Sequence, residues 1–490
     1  MSSRTSSRRL IVAAAGLTSL AACGVFGPQR EPPHMNLPVH YAAGAAPGPD
    51  MATTTEADAD AAAQTAPPRP VPDWWTAYGS ETLDAWVDEG LRSSPSLGAA
   101  RHQLDAAREL LRGQIGNSLL PSIDAGFEPS RQRALSLPVL PQQTFLYNVF
   151  AAEVKASYSF DFFGAAVLAD RALAGQVRQQ NYEFEAARRA LCANIVVAAI
   201  DAASLQEQLA ATADLVALAE RRAAQTAARF RLGSASRAEM LATDEDAASV
   251  AAALPGLRAE LLAVRHTQAV LMGRTPDAAP EALPLDDFKL SAPVPVSVAS
   301  DLLHQRPDIL AAEAAVRASA DQAGAAAAAM FPSLALSAAY GRGGFDWSTF
   351  TSPAGAIWSA GGSLTQPLFH GGALRARKRQ YQAQYDAAVD GYRQTVLAAF
   401  KSVADTLVSL QADTDALAQY RRAADAAAAF DRDTAARYRL GAAPLTLSLA
   451  ARQQFRSLHV QYLRARAAQL GDTAALFDAM GTVPAASSTP

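Results

Sequence analysis

Between Phe150 and Phe162 the chain alternates with a period of two. Phe150, Ala152, Val154, Ala156, Tyr158, Phe160 and Phe162 fall on one side, and Ala151, Glu153, Lys155, Ser157, Ser159 and Asp161 on the other. The segment before it behaves alike, with Ile123, Ala125 and Phe127 set against Ser122, Asp124, Gly126 and Glu128. About two hundred residues later Trp358, Ala360, Gly362 and Leu364 oppose Ser359, Gly361, Ser363 and Thr365, while Leu334 and Leu336 mark a fourth strand. Strands of about ten residues, apolar on one face, polar on the other and aromatic at the ends, fit a sheet with lipid on one side and water on the other. A half-solvated sheet in a soluble protein alternates in the same way.

After each strand pair the period changes to that of a helix. The stretches Ala165 to Phe230 and Ala373 to Tyr438 hold no proline over about 66 residues each, which predicts helices on the order of 100 Å long. Each stops at Arg-Leu-Gly, where Gly233 and Gly441 suit a left-handed cap. Helices then return from Ser236 to about Met272 and from Pro444 to about Met480. Pro444 is expected in the first turn of its helix, and Pro255 is expected to kink or break the first return helix. A short amphipathic helix is expected through Leu83, Trp86, Val87 and Leu91, and prolines 95 and 307 open further helices. The abundance of alanine points to closely packed helical walls rather than to a bulky globular core.

The two halves are copies. Thr226-Ala-Ala-Arg-Phe-Arg-Leu-Gly233 recurs as Thr434-Ala-Ala-Arg-Tyr-Arg-Leu-Gly441, and Pro95, Pro121, Phe163 and Met272 return as Pro307, Pro332, Phe369 and Met480. A period near 200 residues is far longer than the roughly 20–50 residues of solenoid repeats, so two similar structural halves follow. The organisation read from this is a signal at 1–22, a low-complexity tether at 23–72, a first repeat at 73–276, a linker at 277–305, a second repeat at 306–484 and a tail at 485–490.

The ends change the picture. Arg4, Arg8 and Arg9 precede an apolar run from Leu10 to Ala22, too short to span a bilayer and suited to export. The run closes on Leu20-Ala21-Ala22-Cys23, which resembles a lipobox with Cys23 as the lipidated residue; an ordinary signal with an incidental cysteine is the alternative. Gly24, in place of Asp, favours sorting to the outer membrane. Residues 24–72, rich in Pro, Ala, Thr and Asp, read as an extended, poorly ordered tether. Cys192, the other of two cysteines, has no disulfide partner once Cys23 is lipidated. The formal net charge of −4 gives no basic excess for nucleic acid. Beyond the signal no apolar run reaches helix-spanning length, so any membrane crossing falls to strands. Seven scattered histidines and the lack of a metalloprotease, phosphate-loop or nucleophile-elbow motif exclude the common enzyme classes; no cofactor or metal is expected.

Two strands per half make four per chain. Four strands cannot close a barrel, and an open edge cannot face lipid, so transmembrane strands require a barrel shared between chains. The ordered set Trp74-Trp75, Tyr158-Ser-Phe-Asp-Phe-Phe-Gly164, Asp301-Leu302-Leu303 with Arg306-Pro307-Asp308, Phe331-Pro332-Ser333, Gln366-Pro-Leu-Phe369 with Gly371-Gly372, and the twin Arg-Leu-Gly turns resembles the TolC-like outer-membrane efflux proteins, in their lipoprotein (NodT-type) branch. That resemblance implies a homotrimer with a twelve-stranded barrel continued by an α-helical periplasmic tunnel. It implies service as the exit duct of a tripartite pump, with a periplasmic adaptor and an inner-membrane transporter, often proton-driven, as partners. A lipidated adaptor or coiled-coil scaffold is the competing reading, against which stands the double occurrence of strands plus hairpin.

The resemblance also places the Arg-Leu-Gly turns at a periplasmic tip that closes the channel. Candidate residues there are Arg229, Phe230, Arg231, Gly233, Arg237 and Glu239, with Arg437, Tyr438, Arg439 and Gly441 in the second half. An ion pair between Glu239 and Arg437 is one way to hold the closed state, although Ser236-Arg-Ala-Glu239 is equally a capping box. Asp244, Glu245 and Asp246 form either an acidic ring in the oligomer or a solvated helix face. The second half offers no acid between Gly441 and Asp472, so any ring belongs to the first.

Overall fold

A computed structural model describes residues 27–33, 35, 40–42, 73–135, 144–290, 297–299 and 305–480. Cys23, the signal and the tail lie outside them. The ordered elements in chain order are β1 (His40–Ala42), α1 (Glu81–Ser93), α2 (Pro95–Leu119), β2 (Ser122–Leu135), β3 (Thr144–Phe160), α3 (Ala165–Arg231), α4 (Arg237–Ala251), α5 (Ala253–Leu271), β4 (Ser297–Ala299), α6 (Pro307–Ala328), β5 (Ser333–Gly344), α7 (Trp347–Thr351), β6 (Ala356–Thr365), α8 (Ala373–Arg439) and α9 (Leu445–Met480). Both long helices end within a residue of the expected positions. The chain forms two compact units, one of residues 1–34, 103–181 and 311–394, the other of 35–102, 182–310 and 395–490. These units cut across the two sequence repeats, so each contains a share of both.

In the first unit, β2, β3, β5 and β6 form an antiparallel sheet in that order, leaving β2 and β6 as edges. Asp161, from the Tyr158–Gly164 motif, accepts hydrogen bonds from the backbone N–H groups of Ala165 (2.7 Å) and Val167 (3.0 Å). Its carboxylate thereby satisfies free donors at the start of α3. Phe162 lies in the bend beyond the end of β3 rather than on the strand. Alanine does what its abundance suggests. Ala314, Ala318, Ala323 and Ala327 of α6 are buried, and a Cβ at Gly175 of α3 would come within 2.9 Å of the Ala318 Cβ. Only small side chains allow two helices that close.

Residues 27–33, within the expected tether, pack against α6. Gly27 packs on the backbone of Ala320 and Gly324, and Arg30 Nη2 lies 2.8 Å from Asp321 Oδ2. Burial pushes the Asp321 carboxyl up against the pull of Arg30, so the strap supplies the counter-charge for a carboxylate that α6 buries. Further along, β1 pairs with β4, His40 opposite Ala299, which gives the linker an ordered strand too.

The second unit centres on Tyr78, which is fully buried and donates to the Leu470 carbonyl at 2.7 Å. Trp74 packs against Phe477, and Tyr78 against Phe288. The Arg306-Pro307-Asp308 motif is a fork: Arg306 Nε and Nη2 reach Asp308 Oδ1 and Oδ2 at 3.0 and 2.8 Å. Its Nη1 donates to the Ala479 carbonyl at 3.0 Å, near the end of α9. Burial raises Asp308 and the Arg306 bonds lower it, the net shift being downward. Cys192 is free and buried, its thiol pushed up to about 12 by burial.

The first return helix is interrupted as Pro255 leads one to expect, with the break at Ala252, while two other expectations need correction. Pro255 sits inside α5, and its ring opposes the carbonyl four residues back, on Ala251, where α4 ends. Pro444 stands just before α9 rather than in its first turn, with its carbonyl accepting from Leu447 N–H at 3.1 Å. Two helical stretches, one in Ala165–Arg231 and one in Arg237–Leu271, are apolar enough by length and composition to cross a membrane. The first has 61% of its apolar window buried within the protein, and packing against other helices accounts for its apolarity.

Candidate functional site

Register turns four separate alternations into one surface. Phe127 faces Ala152, which faces Arg342; Ala125 faces Val154, Tyr340 and then Trp358; Ile123 faces Ala156, Ala338 and Ala360. Tyr158, Leu336 and Gly362 continue the row, followed by Phe160, Leu334 and Leu364. Directly opposed residues share a face, so apart from Arg342 the side that these rows make is apolar. Its large members are exposed: Trp358 at 77%, Leu364 at 72% and Ile123 at 69%. A contiguous apolar patch of this kind marks a membrane or protein contact.

The opposite face is polar in the same register. Ser122, Ser157, Ser337 and Gly361 form one row, and Asp124, Lys155, Ala339 and Ser359 the next. Ser122 and Ser157 are hydrogen-bonded through their hydroxyls at 2.7 Å. Gln132 bridges Tyr147 Oη (3.3 Å) and Ser130 Oγ (3.2 Å). Serine, glycine and alanine leave room on this side, and the few charges are of mixed sign. At the end away from the helices, α7 folds back onto the apolar face. There Phe150, Trp347 and Phe350 make mutual ring contacts of 5.3–6.2 Å, and Phe350 also meets Phe127. Aromatic girdles of this sort border the apolar band of membrane barrels.

In the second unit the two hairpin turns have the same backbone. Gly233, at φ 74°, sends its N–H to the Phe230 carbonyl (2.9 Å), and Ser234 N–H reaches the Arg229 carbonyl (2.8 Å). Gly441, at φ 73°, repeats this with Tyr438 (3.0 Å), and Ala442 N–H reaches Arg437 (2.8 Å). This is the paired 5→2 and 6→1 bonding of a Schellman cap, and it requires a left-handed residue. Leu232 and Leu440 are each 83% exposed at the turn. Arg231, Arg237 and Arg439 are exposed beside them, as are Phe230 and Tyr438.

The side chains differ. Arg229 Nη1 lies 2.9 Å from Glu239 Oε1, and its Nη2 donates to the Ser234 carbonyl at 3.0 Å. Ser236 Oγ accepts from Glu239 N–H at 3.1 Å, so the capping half of the box is made while the Glu239 carboxylate is committed to Arg229. Arg437 instead turns back along its own helix to Asp433 at 3.2 Å. The expected Glu239–Arg437 pair is therefore not formed within the chain. The turn itself explains this, because it returns Glu239 to the helix it came from.

The acidic trio is also divided. Successive helical residues point about 100° apart and cannot share one face. Asp244 and Glu245 are exposed, while Asp246 meets Arg222 Nη1 at 3.6 Å and Gln453 Nε2 at 3.2 Å. Gln453 completes a triangle with Arg222 at 3.3 Å, tying α3, α4 and α9 together beside a cleft of about 470 Å³. Sequence reasoning missed Arg222 and Gln453. A short run of acids signals itself, whereas one arginine in a long helix does not. Among the described residues no cluster of His, Cys, Asp or Glu suits a metal ion.

Fold and site together define an outer-membrane channel protein. Residues 86–274 and 298–482 match the family model described as outer membrane efflux protein, and the chain belongs to that family. It is 28% identical over 416 residues to the pyoverdine export outer membrane protein OpmQ of Pseudomonas aeruginosa, covering 83% of this chain and 86% of that one. It is 26% identical over 465 residues to nodulation protein T of Rhizobium leguminosarum bv. trifolii, covering 92% of both. Among solved structures, the Campylobacter jejuni CmeC outer membrane channel overlays with a TM-score of 0.81 at 20% identity, covering 93% of this chain and 94% of that one. The chain is thus the outer-membrane channel component of an efflux system, reaching from the outer membrane into the periplasm. Its family is one of transport proteins rather than enzymes, and the adaptor reading is set aside.

Proposed function

We propose that three copies of this chain close a twelve-stranded barrel and a helical duct, through which small molecules supplied by a periplasmic adaptor and a proton-driven inner-membrane transporter leave the cell. The observation that carries the reading is the sheet: two-faced across all four strands, with both outer strands unpaired along one side. Unpaired backbone groups in lipid cost several kcal/mol each, so β2 of one copy takes β6 of the next. Cys23 carries the lipid that tethers each copy. Cargo choice rests with the inner-membrane partner. OpmQ exports pyoverdine by its name; a small polar or amphipathic metabolite or drug suits this duct equally.

The tip is the gate in this reading. Arg229 and Glu239 clasp each first-half hairpin, and three such clasps hold the closed state. Electrophoresis of the detergent-purified protein tests the assembly. A band at about three times the monomer mass, collapsing to monomer on boiling, is expected of a closed barrel. A monomer band before and after heating overturns the trimer.

A further inference from the structure

The apolar face changes character at its outer end. Going along β2, the residues on that face are Ile123, Ala125, Phe127, Pro129, Arg131 and Arg133. Two arginines thus stand on the side that faces lipid. Their register partners on β3 are Asn148 and Leu146. The intervening Ser130 and Gln132 bond with each other and with Tyr147 on the polar face, which confirms that the arginines point the other way.

Height fixes their environment. Arg131 is eight residues from Ile123 and Arg133 ten, or roughly 27 and 34 Å along the strand. With barrel strands tilted about 35–45°, these become heights of roughly 21 and 26 Å, against an apolar band about 25 Å tall. The pair therefore stands at the outer rim, directly above the Phe150, Trp347 and Phe350 rings. A third arginine on this face, Arg342, is already occupied: its Nη1 donates to the carbonyls of Thr351 (2.6 Å) and Ser352 (3.2 Å) and pins the α7 loop. Arg131 and Arg133 are exposed, and neither has an ion pair among the described residues. Alternate residues on a strand lie about 7 Å apart, a spacing at which two guanidinium forks can converge on one phosphate.

We propose that Arg131 and Arg133 bind a phosphate of a phosphorylated glycolipid in the outer leaflet, with the aromatic cluster beneath them meeting its sugar and the tops of its acyl chains. The proposal rests on the membrane placement of the sheet and goes beyond the duct, because the pair lies outside the lumen. The helices enter at the opposite, periplasmic end of the strands, so the rim in question faces the cell exterior. There a phosphorylated disaccharide lipid supplies the anion. Arginine is the residue suited to bidentate phosphate contact, and a cation on the lipid face is tolerated near the interface rather than at the midplane.

The test uses the full-length protein purified in detergent, incubated with equal amounts of bis-phosphorylated lipid A and its dephosphorylated form. Bound lipid is then counted by native mass spectrometry. The expected result is about tenfold greater retention of the phosphorylated form, equivalent to ~1.4 kcal/mol. Arg131→Gln with Arg133→Gln should abolish that preference, and Lys155→Gln on the polar face should keep it. The double substitution sits on an exposed rim, and the heat-modifiable trimer band confirms that it folds. Equal retention of both lipid forms by the parent, or an unchanged preference in the double variant, overturns the proposal. Phosphatidylglycerol retained as well as lipid A overturns the glycolipid assignment. A protein that stays soluble and monomeric without detergent sinks the membrane reading itself, and that outcome is visible before any lipid is added.

Discussion

The two hairpin tips share an octapeptide and a backbone geometry but not a clasp. In the first, Arg229 spans the turn to Glu239. In the second, the residue 208 positions beyond Glu239 is Leu447, and Arg437 falls back onto Asp433. The burial of Thr226 and Thr434, each hydroxyl returned to a carbonyl four residues back, shows how closely the helices leading to the turns correspond. The two copies share what the backbone needs and differ in one ion pair. Backbone requirements are strict because a left-handed position excludes most residues, whereas an exposed ion pair contributes only about 0–1 kcal/mol and drifts freely. The gate asymmetry of the proposed duct comes from that difference in cost.

The largest expected effect tests what the tips share. Gly233→Val and Gly441→Val each force a β-branched residue to positive φ and should destabilise their hairpins by at least ~1–2 kcal/mol. Thermal unfolding followed by circular dichroism should show similar losses in both; a loss at one tip alone would break the equivalence of the turns. The next effect tests what they do not share. Arg229→Ala should raise single-channel conductance in planar bilayers, and Arg437→Ala should leave it near the parent level. Three clasps at up to ~1 kcal/mol each bound the gain at roughly two orders of magnitude. Equal conductance in both variants removes the gate role from the clasp. The smallest effect adds a clasp where none exists. Leu447→Glu offers Arg437 the partner that Glu239 gives Arg229, and should lower conductance slightly while stabilising the tip by no more than ~1 kcal/mol. A rise in conductance would show that the second tip cannot adopt the first tip's pairing.

Much of this was legible in the chain because strong local signals coincide with element ends. Proline-free runs closed by Arg-Leu-Gly located α3 and α8 to within a residue. The strands were underestimated where the signal inverts. β3 begins at Thr144, and β2 runs on past Pro129 to Leu135, because the lipid-side positions there become Arg131 and Arg133 and the alternation no longer looks apolar. The strap at residues 27–33 was hidden for another reason. Arg30 and Asp321 are 291 positions apart, and a single pair at that distance leaves no periodic trace. The capping-box pattern marks Glu239 in the chain, but its partner depends on how the turn folds back, which the spacing alone does not state.

Alternating accessibility along β3 tests the central claim most directly. Single spin labels at Glu153→Cys, Lys155→Cys and Ser157→Cys, compared with Val154→Cys and Ala156→Cys, in the bilayer-reconstituted protein, separate water contact from lipid contact; buried Cys192 should stay unlabelled. The odd positions should be relaxed by a water-soluble nickel reagent and the even ones by oxygen, with a clean period of two. Uniform access of the nickel reagent to all five positions would contradict a sheet that holds lipid on one face and a water-filled duct on the other.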